Sequence, residues 1–411
     1  MDFIFNTKVT GTPHLDEILG HIRNVDWSQT CLGPMEAWPR DILQLCHIIL
    51  LDPNPRCLLL DTERRIAFYN QTYAELCGDR HPEFLGASVK DLWKDLPPET
   101  MRPLSLVHET GRACTMDDFS FTINRKGVLQ EVVLSWTVIP LAGVGGSYLS
   151  IEDVTEKRVS EMRRNLLRDF GKSWRAAPNV HTLWQDVLEK FSSEPQKFPF
   201  ALLYSASERS ASATSIDEWA VDGKHTLFQL EGSVGDFDDS ASVPRKLDVA
   251  TMHHEYPYIR DAMTAQQPIL LTSDDEAFPE AWMHASENRG HMEPCKQAVV
   301  CPLRSNKSNK ILGHLVLGIN QRRPYDDSYK RFVDQIVRTL GDAITQVQIT
   351  EEEYKRHIEI AERAYHATEK FEKMQGIVEK VAVGVFEYSH EGKLLQANVS
   401  TLVVGVGISS R

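Results

Sequence analysis

The first clear pattern along the chain is a pair of short apolar runs. Residues 57–60 (CLLL) and 66–69 (IAFY) flank a charged connection, DTERR, over 61–65. Two short strands joined by a polar turn form a hairpin. The QTYAELCG that follows Asn70 predicts a short amphipathic helix beside it. The pattern occurs twice. Residues 383–398, VGVFEYSHEGKLLQAN, align with 55–70, PRCLLLDTERRIAFYN, without a gap. Leu58 falls on Phe386, Leu60 on Tyr388, Glu63 on Glu391, Ile66 on Leu394 and Asn70 on Asn398. A repeat at this distance predicts two copies of one module in series.

The rest of the first half is less regular. Residues 1–26 carry no readable signal. Gly33-Pro34 marks a turn, residues 35–38 open a helix, and Ile42, Leu45, Ile48 and Ile49 supply its packing face. Residues 85–96 and 98–111 read as short helices flanking a pocket. Strands are predicted over 115–124 and 128–140, the second with Val132, Leu134, Trp136 and Val138 on one side. Gly143, Gly145 and Gly146 stand between strands and precede no helix opening on Lys-Ser or Lys-Thr. They predict a hairpin turn rather than a phosphate loop. Residues 155–168, TEKRVSEMRRNLLR, form a charged amphipathic helix, read as a connector or a solvated linker.

A different pattern starts near residue 178. The helix VHTLWQDVLEKF precedes a strand, PFALLYSA. Residues 205–248 are Ser-rich and acidic and read mostly as loop, interrupted at 219–221 and 227–230. Short strands are expected at 268–272, 297–303 and 311–319. A long helix then runs from Asp327 to about Gly376. Leu340, Val347, Tyr354, Ala361 and Thr368 are spaced by seven, with Val337, Ile344, Ile358 and Tyr365 on an adjacent line and residues 351–353 interrupting. Such a seam serves either a parallel dimer or a monomeric amphipathic helix.

Strand, acidic turn, strand, Asn and short helix resemble the opening of a PAS domain, a small sensor fold. TMDDFSFTINRKGVLQEVVLSWTVIPL and GGSYLSIEDVTEKR resemble its last three strands, closed by an Asp-x-Thr signature at Asp153 and Thr155. The resemblance assigns these two residues to signal coupling at the domain exit. The preceding Leu-Gly-Pro-x-Glu-x-Trp-Pro resembles a leader before PAS domains in sensory histidine kinases. Gly313-x-Leu315, Gly318, Arg323-Pro324, Asp326 and Phe332 resemble the C-terminal half of a GAF domain, commonly a small-molecule sensor or dimer scaffold. The expected fold is therefore α+β: a five-stranded antiparallel PAS sheet with flanking helices, a GAF domain, long amphipathic signalling helices and an incomplete PAS hairpin. The expected divisions are a leader at 1–55, PAS at 56–156, a linker helix at 157–177, GAF at 178–347, a signalling helix at 348–375 and a truncated second PAS at 376–411. The last residues, VSTLVVGVGISSR, depart from the first copy. They raise the expectation of a truncated or misread gene, whose native product runs on into an output domain.

Composition narrows the partners. The net charge of −13 argues against a nucleic-acid surface, which needs clustered Lys and Arg. The longest apolar stretch, 42–51, is about half of the ~20 residues a membrane span needs. Neither partner is expected. Seven scattered cysteines without a C-x-x-C pair favour a reduced, cytoplasmic location.

No cofactor is clearly indicated, and none is assigned. Cys77 lacks the Asn-Cys-Arg-Phe-Leu-Gln context of a flavin-photosensing PAS. His108 is a lone helical His, a surface or core residue more often than a haem ligand. Cys295 and Cys301 read as buried structural thiols rather than bilin anchors. His253 and His254 are adjacent and diverge, a poor metal pair. His357 is followed by Ile-Glu-Ile rather than the acid and Arg-x-Pro of a phosphoacceptor. No catalytic or metal residue is assigned, and no enzymatic activity is expected of the chain.

The order leader, PAS, GAF, PAS resembles the sensory half of fungal-type hybrid histidine kinases. It implies a homodimer through helices, a small-molecule ligand in the PAS or GAF pocket, and a phosphorelay kinase absent from this chain. Two other readings stand beside it: a free-standing PAS/GAF interaction protein, and a light or gas receptor with a bound chromophore.

Overall fold

The computed structural model describes residues 13–60, 64–78, 81–92, 98–125, 128–143, 145–208, 226–237, 243–248, 256–307, 310–380 and 386–397. Its first sheet has five antiparallel strands in the order β2-β1-β5-β4-β3. The strands are β1 (Arg56–Leu60), β2 (Arg65–Tyr69), β3 (Cys114–Arg125), β4 (Val128–Leu141) and β5 (Gly146–Asp153). Helices α3 (Gln71–Cys77), α4 (Val89–Leu92) and α5 (Arg102–Thr110) intervene between β2 and β3. Their apolar faces join Cys57, Leu59, Ile66, Val132, Leu134, Val138 and Ile151 in one core. Leu85, expected in a helix, lies in a turn, and Gly143 and Gly145 form the β4–β5 turn with positive φ.

Every residue of β1 is buried, so the strand does not alternate. A strand covered on both faces has this pattern. Its outer cover is the leader: α1 (Pro13–Asn24), two single turns, and α2 (Arg40–Leu51). Ile18, Leu19 and Ile22 of α1 pack with Trp27, Trp38 and Ile42 onto Leu58, Leu60 and Phe68. Trp27 Nε1 donates to Ile22 O and Trp38 Nε1 to Gly33 O, each at 2.9 Å, so both indoles are buried with their polar atoms satisfied. Residues 13–24, read as without signal, therefore hold a helix, whose apolar positions 15, 18, 19 and 22 do stand at helical spacing in the sequence. The α2 face is also rotated from expectation: Ile42, Cys46, Ile49 and Leu50 are buried, whereas Ile48 is exposed. Residues 35–37 are a separate 3-10 turn, and α2 begins after Pro39.

Asn70 fastens this corner. Its side-chain oxygen accepts from Arg56 N (3.0 Å) and Tyr73 N (3.1 Å), so it starts β1 and caps α3. Its amide donates to Asp52 O (3.0 Å) and Asn54 O (2.8 Å).

α6 (Thr155–Arg175) continues from β5 into the second unit. Val159, Arg163, Leu166, Phe170 and Trp174 make one buried stripe at spacings of three and four. The helix runs beyond the 155–168 read from its charged pattern, covers most of the linker expected at 157–177, and is no solvated linker. It packs with α7 (Val180–Ser192) and the first half of α10 (Asp327–Lys380) on one face of a second sheet. That sheet is antiparallel, in the order β8-β7-β6-β11-β10-β9. Its strands are β6 (Ala201–Glu208), β7 (Thr226–Val234), β8 (Lys246–Asp248), β9 (Ile269–Thr272), β10 (Gln297–Arg304) and β11 (Ile311–Gly318). Alternation divides each strand between two cores. Leu203, Cys301, Leu315 and Leu317 meet the three helices. Leu202, Tyr204, Val300 and Val316 meet α8 (Pro257–Ala265) and α9 (Glu280–His284). β7 and β8 lie in the stretch that read mostly as loop, while 219–221 falls outside the described residues. Helices and antiparallel sheets together make the fold α+β.

α10 has 54 residues, about 80 Å at 1.5 Å per residue. Leu340, Ile344 and Val347 of the heptad line are buried against the second sheet. Tyr354, Ile358 and Tyr365 are exposed. Beyond the helix, β12 (Phe386–Tyr388) pairs with β13 (Leu394–Ala397). Both hairpins carry a bulge in the second strand, at Ala67 and at Leu395, which are equivalent in the repeat. The first strands are slipped by one residue: Leu58 faces Phe68, but Phe386 faces Ala397 rather than Gln396. The gapless sequence match does not extend to strand pairing. Asn398 lies outside the described residues.

Candidate functional site

The first sheet and α3–α5 enclose a small apolar cavity of about 40 Å³, lined among others by Tyr73, Leu104, Trp136, Val138 and Ile151. This is space for water rather than for a ring system. In its wall Thr100 is buried, and its hydroxyl has no hydrogen-bond partner among the described residues. A small molecule with an acceptor, or a water, would satisfy it. A bulky ligand would have to displace the side chains that fill the space.

The residues considered for cofactor chemistry lie apart from this cavity. Cys77 is buried in the same core but does not line the space. His108 is exposed in the last turn of α5. In the second unit Cys295 and Cys301 are buried. Burial pushes the Cys295 thiol up to about 11, although it donates to Gln297 O (3.1 Å), and raises that of Cys301 as well. Such thiols are poor nucleophiles at neutral pH. His253 and His254 lie outside the described residues, and His357 is exposed on α10. Among the described residues no three His, Cys, Asp or Glu side chains gather as a metal site, and no helix is long and apolar enough to cross a membrane.

The inner face of the second sheet is filled. Tyr204, Tyr258, Trp282 and Val316 close over the place where a pocket would open. Tyr258 and Trp282 meet edge-on at 5.1 Å. His314 of β11 projects to this side, fully buried, with its ring 4.5 Å from Phe228 and neither ring nitrogen bonded among the described residues. Burial holds its pKa down at about 3, so it is neutral. Nothing in its sequence context, Gly-His-Leu-Val, distinguishes it from an ordinary strand residue.

The Asp-x-Thr exit has a defined geometry. Asp153 Oδ1 accepts from Thr155 N at 3.0 Å. The Thr155 hydroxyl accepts from Val133 N at 2.8 Å and reaches Val133 O at 3.4 Å. Val154 N also donates to Val133 O, at 2.9 Å. The first residue of α6 is thus fastened to the middle of β4, a strand that walls the cavity with Leu134, Trp136 and Val138.

Two residues from that latch, Glu131 meets the second unit. Its carboxylate lies 2.6 Å from His291 Nε2 and 3.2 Å from Arg323 Nε, and accepts from Asn320 at 3.3 Å. Its backbone N–H donates to Arg322 O at 2.9 Å. Arg322 in turn reaches Thr122 (3.2 Å) and Glu293 (2.7 Å). None of these partners stands out as a site residue in the sequence except Arg323, and that only as part of a motif.

Residues 52–159 match a family described as the PAS fold. The match spans the five-stranded sheet, its helices and the exit latch, and this part of the chain is a PAS fold. No curated protein matches the chain. Among solved structures, a bacteriophytochrome chromophore-binding domain from R. palustris is 11% identical, with 72% of this chain and 94% of that one covered, at a TM-score of 0.30. A putative GAF sensor protein from Burkholderia vietnamiensis is 12% identical over 46% of this chain and 98% of that one, TM-score 0.31. A phytochrome photosensory core module from Stigmatella aurantiaca is 13% identical over 87% and 73%, TM-score 0.33. Likenesses this distant support no statement about ligand or activity.

Proposed function

We propose that this chain is the sensory and dimerisation part of a two-component phosphorelay histidine kinase. Its PAS and GAF-like units sense a signal, and α6 and α10 relay it to a kinase unit that this chain does not itself contain. The observation that carries the reading is the unbroken mechanical path. β4 walls the PAS cavity, Thr155 ties it to α6, α6 is buried against α10, and α10 extends far beyond the second sheet. A displacement of a fraction of an ångström at the cavity would change the rotation or register of a rod about 80 Å long.

The exposed half of α10 fits a second copy of this chain. Tyr354, Ile358, Ala361, Tyr365 and Thr368 continue the heptad line whose first members are already buried against the second sheet, so a partner helix would extend an existing seam. In this reading the chain transfers no phosphate alone. His357 lacks a phosphoacceptor context and directly precedes the seam residue Ile358.

The test is a cysteine placed in the seam. In a Cys31→Ser background, which removes the exposed thiol, Ala361→Cys is expected to form a disulfide-linked dimer under mild oxidation. Ile358→Glu should abolish both the crosslink and the dimer in sedimentation. A wild-type chain that sediments as a monomer at tens of micromolar, or one that labels itself from ATP, would overturn the reading. A dimeric chain with no downstream kinase in its natural product would instead support a free-standing interaction protein.

A further inference from the structure

A larger cavity lies between the two units, of about 390 Å³. One wall is the outer face of β3 and β4, with Ser120, Thr122 and Val133. The other is α6, the start of α10 and the segment around Lys197. Phe121 also lines the PAS cavity, so this side chain is common to both. Neither domain's inner pocket extends here, and the sequence showed no sign of the site.

Its charge is uneven. Arg158, Arg163, Lys197 and Arg323 line it, against the single carboxylate of Glu131. Three of the cations are matched: Arg158 with Asp118 and Glu161, Lys197 with Glu194, and Arg323 with Glu131. Arg163 is not. It is 8% exposed, and among the described residues it makes no ion pair. Its guanidinium lies 4.5 Å over the Tyr329 ring and 5.3 Å from that of Phe332, and its Nη1 donates to Ser328 Oγ at 2.9 Å. Most of its five N–H donors are left for whatever occupies the cavity. Asp326 and Glu156 act on it only through space. Burying a charge without a counter-charge is costly, and burial here lowers the Arg163 pKa. A planar guanidinium placed over one ring and beside a second can take an oxyanion through two parallel N–H donors. Around it, Val133, Val159, Met162 and Phe332 give the rest of the space an apolar lining.

We propose that this junction cavity is a binding site for a small organic anion. A carboxylate or phosphate head would sit on Arg163, and a compact apolar body would sit against Val159 and Met162. An occupant would touch β3–β4 of the PAS fold and α6 and α10 together, so it would set how the two units are held. The proposal does not depend on the kinase reading, since it concerns only what fills the space.

The test is calorimetric titration of the full chain with benzoate and with phenyl phosphate, using benzyl alcohol as the uncharged control. One or both anions are expected to bind, benzyl alcohol at least tenfold more weakly, and preference between the anions identifies the head group. Arg163→Gln is expected to weaken the preferred anion at least tenfold, and Arg163→Lys to weaken it less. Because Arg163 is buried and its variants can disturb folding, Ser120→Trp supplies a second check. It fills the cavity from an exposed strand position and should block binding while leaving the melting temperature near that of the wild type. No binding by either anion, equal binding of benzyl alcohol, or undiminished binding by Arg163→Gln or by Ser120→Trp would each overturn the proposal.

Discussion

Two buried polar residues show how much a single side chain can decide. Asn70 satisfies two N–H groups and two carbonyls with one amide. In Asn70→Ala the α3 cap is lost and buried backbone groups lose their partners. A loss on the order of 3 kcal/mol is expected in chemical denaturation followed in the PAS unit. Asn70→Asp is the sharper comparison. It keeps the acceptor for the cap but sets a buried carboxylate oxygen against the Asp52 and Asn54 carbonyls, and should cost at least as much as Ala. His314 is the opposite case, a buried ring whose nitrogens have no hydrogen-bond partner among the described residues. Its folded-state pKa of about 3 lies below the ordinary 6.5, so the unfolded chain takes up a proton that the folded chain refuses. Its effect on stability is absent above pH 6.5 and grows as pH falls from 6.5 toward 3. The slope is at most about 1.4 kcal/mol per pH unit, or roughly 2 kcal/mol between pH 7 and 5. His314→Leu should remove that share of the acid dependence. Identical denaturation slopes for wild type and variant between pH 7 and 5 would show that His314 is protonated in place.

At the scale of elements, the exit latch makes the most direct claim. Thr155→Val keeps the shape of the side chain and removes the hydroxyl that accepts from Val133 N. A loss of about 2 kcal/mol is expected for the unpaired N–H. Faster hydrogen exchange should be confined to Val133 and the first turn of α6, with the rest of α6 unchanged. Uniform acceleration along α6 would mean that the latch holds the whole helix rather than its start. Asp153 and Thr155 stood out through their resemblance to an Asp-x-Thr exit, but their partner Val133, 22 residues away in β4, did not. Strands β9–β11 and the long helix were readable because each is one apolar run or one periodic stripe. β7 and β8 were not. Their residues alternate with Gln, Glu, Ser and Lys inside an acidic stretch, and become strands by pairing beside β6. α1 was missed although Leu15, Ile18, Leu19 and Ile22 stand at helical spacing; Ile18, Leu19 and Ile22 cover the Trp27–Trp38 pair and Phe68. The slip between the two hairpins was also invisible, because a gapless alignment counts residues whereas pairing depends on turn geometry.

For the whole molecule, the question is what makes two units act as one. α6 joins them covalently and packs against α10, but a shared helix leaves bending at its first turns. The contact that restrains this is Glu131, which meets partners 160 to 192 residues downstream: His291, Asn320 and Arg323. No periodicity or motif can announce a contact of that span, so this part of the site had to come from the structure. Its strength follows from placement. Glu131 and Arg323 are largely covered, at 22% and 17% side-chain exposure, so their interaction is less screened than a surface pair. Removing the carboxylate would leave Arg323 facing Arg163 across the cavity without a counter-charge between them. Glu131→Ala is therefore expected to let the units separate. The radius of gyration in solution scattering should rise, and the PAS unit should melt as a distinct, earlier calorimetric transition. Unchanged scattering and an unchanged melt would mean that the apolar stripe of α6 and the Arg322 contacts hold the units without the carboxylate. The junction would then be a filled seam rather than a hinge closed by charge.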